Sequence, residues 1–138
     1  MTQAETTIRN RRGEFGRVVE AVDRLAVEHH LAPEVVMDMQ VALDEVLANI
    51  VDYAYSDDAE HEIRIRLNIH GNVLEATIED DGMPFNPLES TVADIHAPLR
   101  QRRIGGVGLH FVKNLMSEVR YNRVGDRNRL VLRKRLTD

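Results

Sequence analysis

The sequence predicts an α+β domain in which helices cover one face of a sheet built mainly from antiparallel pairs, and three observations carry that prediction. Apolar residues recur at helical spacing over 14–30 and 34–55. Apolar and polar residues alternate over 61–80, interrupted at Gly71-Asn72, and a second alternating pair closes the chain at 118–124 and 128–136. Strands that arrive as adjacent pairs with helices between them pair antiparallel, and helices laid on one sheet face bury the apolar side of both layers.

In chain order, residues 5–12 are short and polar, an edge strand. Phe15, Val18, Val19, Val22, Leu25 and Ala26 mark the first helix, which His30-Leu31-Ala32-Pro33 ends; Pro33 suits the first turn of the next. That second helix carries Val35, Val36, Met39, Ala42, Leu43, Val46, Leu47, Ile50 and Ala54, and Ser56-Asp57-Asp58 turns the chain out of it. Ile63, Ile65, Leu67 and Ile69 interleave with Arg64, Arg66 and Asn68, the period of a half-buried strand, and Gly71-Asn72 reverses it into Val73–Glu79 as a hairpin. Residues 81–105 hold Gly82, Pro84, Pro87, Pro98 and Gly105 with little periodicity, and a loop of that length in a small domain is commonly functional. Val107, Leu109, Phe111, Val112, Leu115 and Met116 mark a third helix over 107–117.

The 138 residues suit one domain with one core, at 43% hydrophobic and 30% charged. The absence of cysteine excludes a disulfide framework, a Cys-ligated zinc and a thiol nucleophile. A net charge of −5 argues against direct nucleic-acid binding. No apolar run reaches the roughly 20 residues of a membrane span, and Met1–Thr6 lacks the order of a signal peptide, so the expected setting is cytoplasmic, away from membrane. The six histidines are too scattered for a metal cluster. Met37, Met39 and Met116 read as core filler, and Arg120, Arg123, Arg127, Arg129, Arg133 and Arg135 as a solvated strand face.

Three segments carry chemistry. Glu45, Asn49 and Asp52 share one face of the second helix, where a carboxylate beside an amide oxygen suits a hard divalent cation and a proton acceptor. Glu79-Asp80-Asp81-Gly82-Met83-Pro84 ends a strand with carboxylates able to accept a hydrogen bond from an exocyclic amine. Arg103-Ile104-Gly105-Gly106-Val107-Gly108-Leu109 runs into a helix N-terminus, where free N–H groups and the dipole favour phosphate; it is neither a dinucleotide fingerprint nor a Walker A loop. Arg102 and Arg103 lie just before those glycines, and two readings suit them equally, a contact with a terminal phosphate and a solvent-facing place in the loop.

Together, in this order, the segments resemble the GHKL superfamily of gyrase-type ATPases and histidine kinases, and end to end the chain resembles its anti-sigma-factor serine/threonine protein kinases. The resemblance implies one domain over 1–138: an N box at about 41–55, a first glycine box at 80–84, an ATP lid at about 86–105 and a second glycine box at 105–109. It implies a two-layer α/β sandwich with a mixed, largely antiparallel sheet. It also implies ATP and Mg²⁺ as ligands, Glu45 as base, Asn49 as metal ligand, and Asp80 and Gly82 at the adenine. Arg103, Gly105, Gly106, Val107, Gly108 and Leu109 would face the phosphates. Implied partners are a sigma factor, an antagonist protein whose serine accepts phosphate, and a second copy of the chain. The family's Gly-Thr near the last strand is absent; Asn128-Arg129 stands there, which implies one phosphate contact fewer. Two other functions suit the same motifs: an ATP-binding module that sequesters a partner without phosphate transfer, and a detached histidine-kinase catalytic domain.

Overall fold

A computed structural model of the chain describes residues 4–84 and 106–137, the side chains of 106–110 excepted. The elements run β1 (Ala4–Arg9), a 3-10 turn (Arg12–Glu14), α1 (Phe15–His29), α2 (Pro33–Tyr53), β2 (Glu62–His70), β3 (Val73–Asp80), α3 (Gly106–Leu115), β4 (Glu118–Val124) and β5 (Arg127–Arg135). The expected lid, 86–105, lies outside the described residues.

Local chemistry explains the boundaries. α1 ends because His30 turns left-handed at φ 54°, and the N–H groups of His30 and Leu31 both donate to the Ala26 carbonyl. α2 starts at Pro33, whose missing N–H costs nothing in a first turn. Gly71 takes φ 54° between β2 and β3, a conformation that a side chain resists.

The strands lie in the order β1-β2-β3-β5-β4, and every neighbouring pair is antiparallel. Among the described residues the sheet is therefore antiparallel in every pairing, where a mixed one was expected. β2/β3 and β4/β5 are hairpins with short turns, which must reverse direction, and β5 also pairs antiparallel with β3. Ile63, Ile65 and Leu67 of β2, Leu74, Ala76 and Ile78 of β3, and Leu130 and Leu132 of β5 are buried on one sheet face. Val18, Val22 and Leu25 of α1, Met39, Leu43, Val46 and Leu47 of α2, and Val112 of α3 join the same core.

The other face is charged. Glu79, 5% exposed, lies between Arg66 at 2.5 Å and Arg129 at 3.3 Å, and Arg133 bridges Glu75 and Glu118 at 2.8 and 3.2 Å. The C-terminal arginines are thus not one solvated face: Arg129 and Arg133 are ion-paired across strands, and Arg123 alternates to the opposite side. Met37 departs from expectation too. It is 64% exposed while Met39 is fully buried, because two residues along a helix are about 200° apart and cannot both face the sheet.

Leu67, 1% exposed on β2, tests the core. Leu67→Ala is expected to lower unfolding stability by about 2–5 kcal/mol, read from urea denaturation followed by circular dichroism.

Candidate functional site

β3 faces the core with Leu74, Ala76 and Ile78, and the period of two then aims Asp80 the same way. The carboxylate sits 4% exposed at the end of the apolar layer. Its Oδ1 accepts from the Gly82 N–H at 2.9 Å and from Asn128 Nδ2 at 3.0 Å. Asn128, noted above for the Gly-Thr it replaces, is directly opposite Asp80 in the β3/β5 register. Its Nδ2 also donates to the Met83 carbonyl at 2.8 Å, and the Tyr121 hydroxyl donates to its Oδ1 at 2.5 Å.

The turn after Asp80 is fastened from two further sides. The Met83 N–H donates to the Ala54 carbonyl at the end of α2, at 2.8 Å. Arg123 of β4 donates to the Gly82 carbonyl at 2.8 Å. Gly82 is dictated by this packing, since a Cβ there would stand 2.5 Å from Ala54 O and 2.6 Å from Ala54 Cβ.

Burial is the main force raising the Asp80 pKa; the Asn128 and Gly82 donors and the Arg123 charge pull it back down, while Asp81 pushes it up. Beside it, Tyr55 is held as a neutral phenol, its pKa raised first by burial and then by the Asp80 and Asp81 carboxylates. The Tyr55 ring stacks on His61 at 4.0 Å between centroids and 8° between planes. His61 lies with Nε2 2.8 Å from Asp57 and Nδ1 3.4 Å from Asp81. The Asp57 hydrogen bond foremost, with the two carboxylate charges, raises its pKa. His61 therefore ties the loop after α2 to the turn after β3.

The expected site residues divide as follows. Asn49 is 8% exposed and Glu45 half-buried on α2, and Asn49 lies about 7.5 Å along the helix axis from Ala54. Asp52 leaves that group: Arg12 of the 3-10 turn holds it by two hydrogen bonds of 2.8 and 2.7 Å. Gly106, Val107, Gly108 and Leu109 form the first turn of α3, which packs against α2, and first-turn N–H groups have no partner within a helix. Arg103 and Gly105 lie outside the described residues. Tyr55, His61, Tyr121 and Arg123 were missed. Their only trace in sequence is that the phase of β4 aims Tyr121 and Arg123 to one side. Among the described residues, no group of three or more metal-ligating side chains occurs and no helix is long and apolar enough to cross a membrane.

The fold and the strand-end carboxylate define a class. The model of the histidine kinase-like ATPase domain matches residues 8–134, and the chain belongs to that family. Among relatives, it is 32% identical over 93 residues to the serine-protein kinase RsbW of Oceanobacillus iheyensis, covering 64% of this chain and 59% of that protein. It is 36% identical over 86 residues to serine-protein kinase RsbW of Bacillus cereus, covering 59% and 53%. The chain thus spans little more than half the length of the curated relatives it matches. Among solved structures, the RsbU and RsbW domains of Rv1364c from Mycobacterium tuberculosis superpose with a TM-score of 0.69 at 17% identity, over 99% of this chain and 33% of that one. The histidine kinase domain of a blue-light activated kinase from Erythrobacter litoralis gives 0.55 at 19%, over 91% and 60%. Both share the fold.

Two outcomes follow from the geometry. Gly82→Ala is expected to lower the thermal midpoint, because backbone and not a flexible side-chain end blocks the new methyl. His61→Phe keeps a ring on Tyr55 but loses the charge. A raised folded pKa gives stability that is complete below the unfolded value of 6.5 and lost as pH rises through the folded value. The stability advantage of the wild type over His61→Phe should therefore shrink as melts are taken from pH 6 to pH 9.

Proposed function

We propose that the chain binds Mg·ATP with adenine at Asp80 and transfers the terminal phosphate to a serine or threonine of a partner protein, acting as an anti-sigma-factor kinase. The observation that carries this reading is the state of Asp80. Both donors converge on Oδ1, and among the described residues none is bonded to Oδ2, which leaves the second oxygen of this nearly buried carboxylate to accept from an exocyclic amine. The residues fit the nucleotide in three further respects. Gly82 keeps the turn free of a side chain, Asn49 offers a nearly buried amide further along α2, and the first turn of α3 has N–H groups that the helix itself does not use.

Bound ATP supplies a phosphoryl group whose transfer needs positioning, charge neutralisation and a proton acceptor from the protein. Asn49 would hold the Mg²⁺, which would supply neutralisation of phosphate charge. Glu45, one turn back on the same helix and half-buried, takes the proton of the incoming hydroxyl. Asp80 fixes the base. The sigma factor, the antagonist that supplies the accepting serine, and a second copy of the chain are the partners this reading carries; the relatives' description as serine-protein kinases supports it.

Binding and transfer separate in variants. Asp80→Asn keeps an acceptor for Gly82 and Asn128 and relieves the burial of a charge, so its unfolding midpoint at neutral pH should equal or exceed that of the wild type. Its ATP affinity should fall, because an amine now meets an amide that can turn a donor toward it. Asn49→Ala should weaken Mg·ATP, read by calorimetry. Glu45→Ala should bind normally but transfer label from radioactive ATP to the antagonist roughly 10²–10⁴-fold more slowly. Unchanged ATP affinity in Asp80→Asn would sink the adenine assignment.

A further inference from the structure

We infer that Tyr121 and Asn128 form a relay that positions the Asp80 carboxylate and so sets the preference of this site for a purine bearing an exocyclic amine. The inference rests on the reading of Asp80 as the purine acceptor.

The amide of Asn128 can point only one way. Its Nδ2 meets two acceptors, Asp80 Oδ1 at 3.0 Å and Met83 O at 2.8 Å, while its Oδ1 receives the Tyr121 hydroxyl. A flipped amide would turn its oxygen against two other acceptors and its NH₂ toward a hydroxyl, losing three hydrogen bonds together. Strand registers fix the partners: Asp80 faces Asn128 across β3/β5, and Tyr121 faces Leu130 across β4/β5. β4 alternation then puts Arg123 on the same side as Tyr121, where it holds the Gly82 carbonyl. The edge strand thus supports the turn at two points, one reaching the carboxylate through Asn128 and one gripping the backbone beside it.

This arrangement determines what Asp80 can recognise. With Oδ1 occupied by two donors, Oδ2 is the oxygen left to accept. An acceptor satisfies an amine N–H and opposes a carbonyl oxygen, so a 6-amino purine is favoured and a 6-oxo purine disfavoured. The preference holds only while the carboxylate is ionised, since a protonated Asp80 presents a donor. Burial works against ionisation, and Asn128 and the Gly82 N–H work for it. The other groups facing Asp80 are Asp81 on its own turn, Arg123 on β4, Tyr55 after α2 and, through Asn128, Tyr121 on β4. Removing the Asn128 donor therefore both unlocks the carboxylate and raises the pH at which it protonates.

The experiment measures binding of ATP, inosine triphosphate and purine riboside triphosphate to the full chain by calorimetry; purine riboside lacks the amine. The wild type is expected to prefer ATP over purine riboside triphosphate by about ten-fold or more, the range of one hydrogen bond to a charged acceptor. Asn128→Ala should lose most of that preference while its affinity for purine riboside triphosphate stays within about three-fold, since uncoupled phosphate contacts add independently. Its remaining ATP binding should also decline at a higher pH than the wild type's as the solution is acidified. Tyr121→Phe should move in the same direction by less, and decides the question alone should Asn128→Ala fail to melt cooperatively. Equal weakening of all three nucleotides in the variants, or an unchanged ratio, would overturn the relay and leave Asp80→Asn to test the adenine site separately. A wild type that binds none of the three, or binds ATP and purine riboside triphosphate alike, overturns the reading of Asp80 and the relay with it.

Discussion

β3 is the central strand of the sheet, and its alternation continues one residue past the last apolar side chain. Leu74, Ala76 and Ile78 face the helices, so Asp80 must face them too, at the edge of a layer built to exclude water. An ionised carboxylate in that position is costly unless donors meet it. The surrounding structure supplies them from elements distant in sequence: the next turn, the first residues of β5 and, through Asn128, β4. Much of what lies around this end of the sheet follows from that one burial, including the absence of a side chain at Gly82 and the grip of Arg123 on its carbonyl.

The same alternation shapes the outer face. Glu79 is 5% exposed although no described helix covers it, because long arginine side chains from both neighbouring strands pair with it. Glu79 between Arg66 and Arg129 adds little stability on balance, since desolvating three charges offsets most of their attraction. Its effect is on register. A strand shifted by one residue would send Glu79 into the apolar layer and leave both arginines unpaired. Correct register is also what brings Asn128 opposite Asp80, so the charged face and the buried carboxylate depend on the same alignment.

The end of α2 is the second hub. Ala54 receives the Met83 N–H through its carbonyl, and Tyr55 and Asp57 reach His61 by stacking and hydrogen bonding. His61 is itself bound into the chain by Asn10, which exchanges two hydrogen bonds with its backbone at 2.9 and 3.0 Å. A helix that carries Glu45 and Asn49 on one face is thereby locked, at its far end, to the turn that carries Asp80. The arrangement holds residues of two separate segments at a set spacing, which a site that grips both ends of one ligand requires.

The sequence by itself determined the elements and the motifs, because the signals for both are local. Periods of 3.6 and 2 placed three helices and four strands within a residue or two, while the first strand, read over 5–12, ends at Arg9; Glu45 and Asn49 were visible as polar neighbours on one helical face, and Asp80, Gly82 and the Gly106–Leu109 segment as residue types beside strand and helix ends. Met37, expected in the core and found exposed, lies out of phase with Met39, a signal that the sequence does contain. Tertiary structure alone decided the rest. That β5 enters the sheet beside β3, with β4 outside it, depends on the whole inner face finding its helices, and no window of residues encodes it. Only that order turns Asn128 from a departure in a motif into the partner of Asp80 and brings Tyr121 and Arg123 to the same turn, while packing between other distant segments takes Asp52 away to Arg12 and sets His61 beside Asp81.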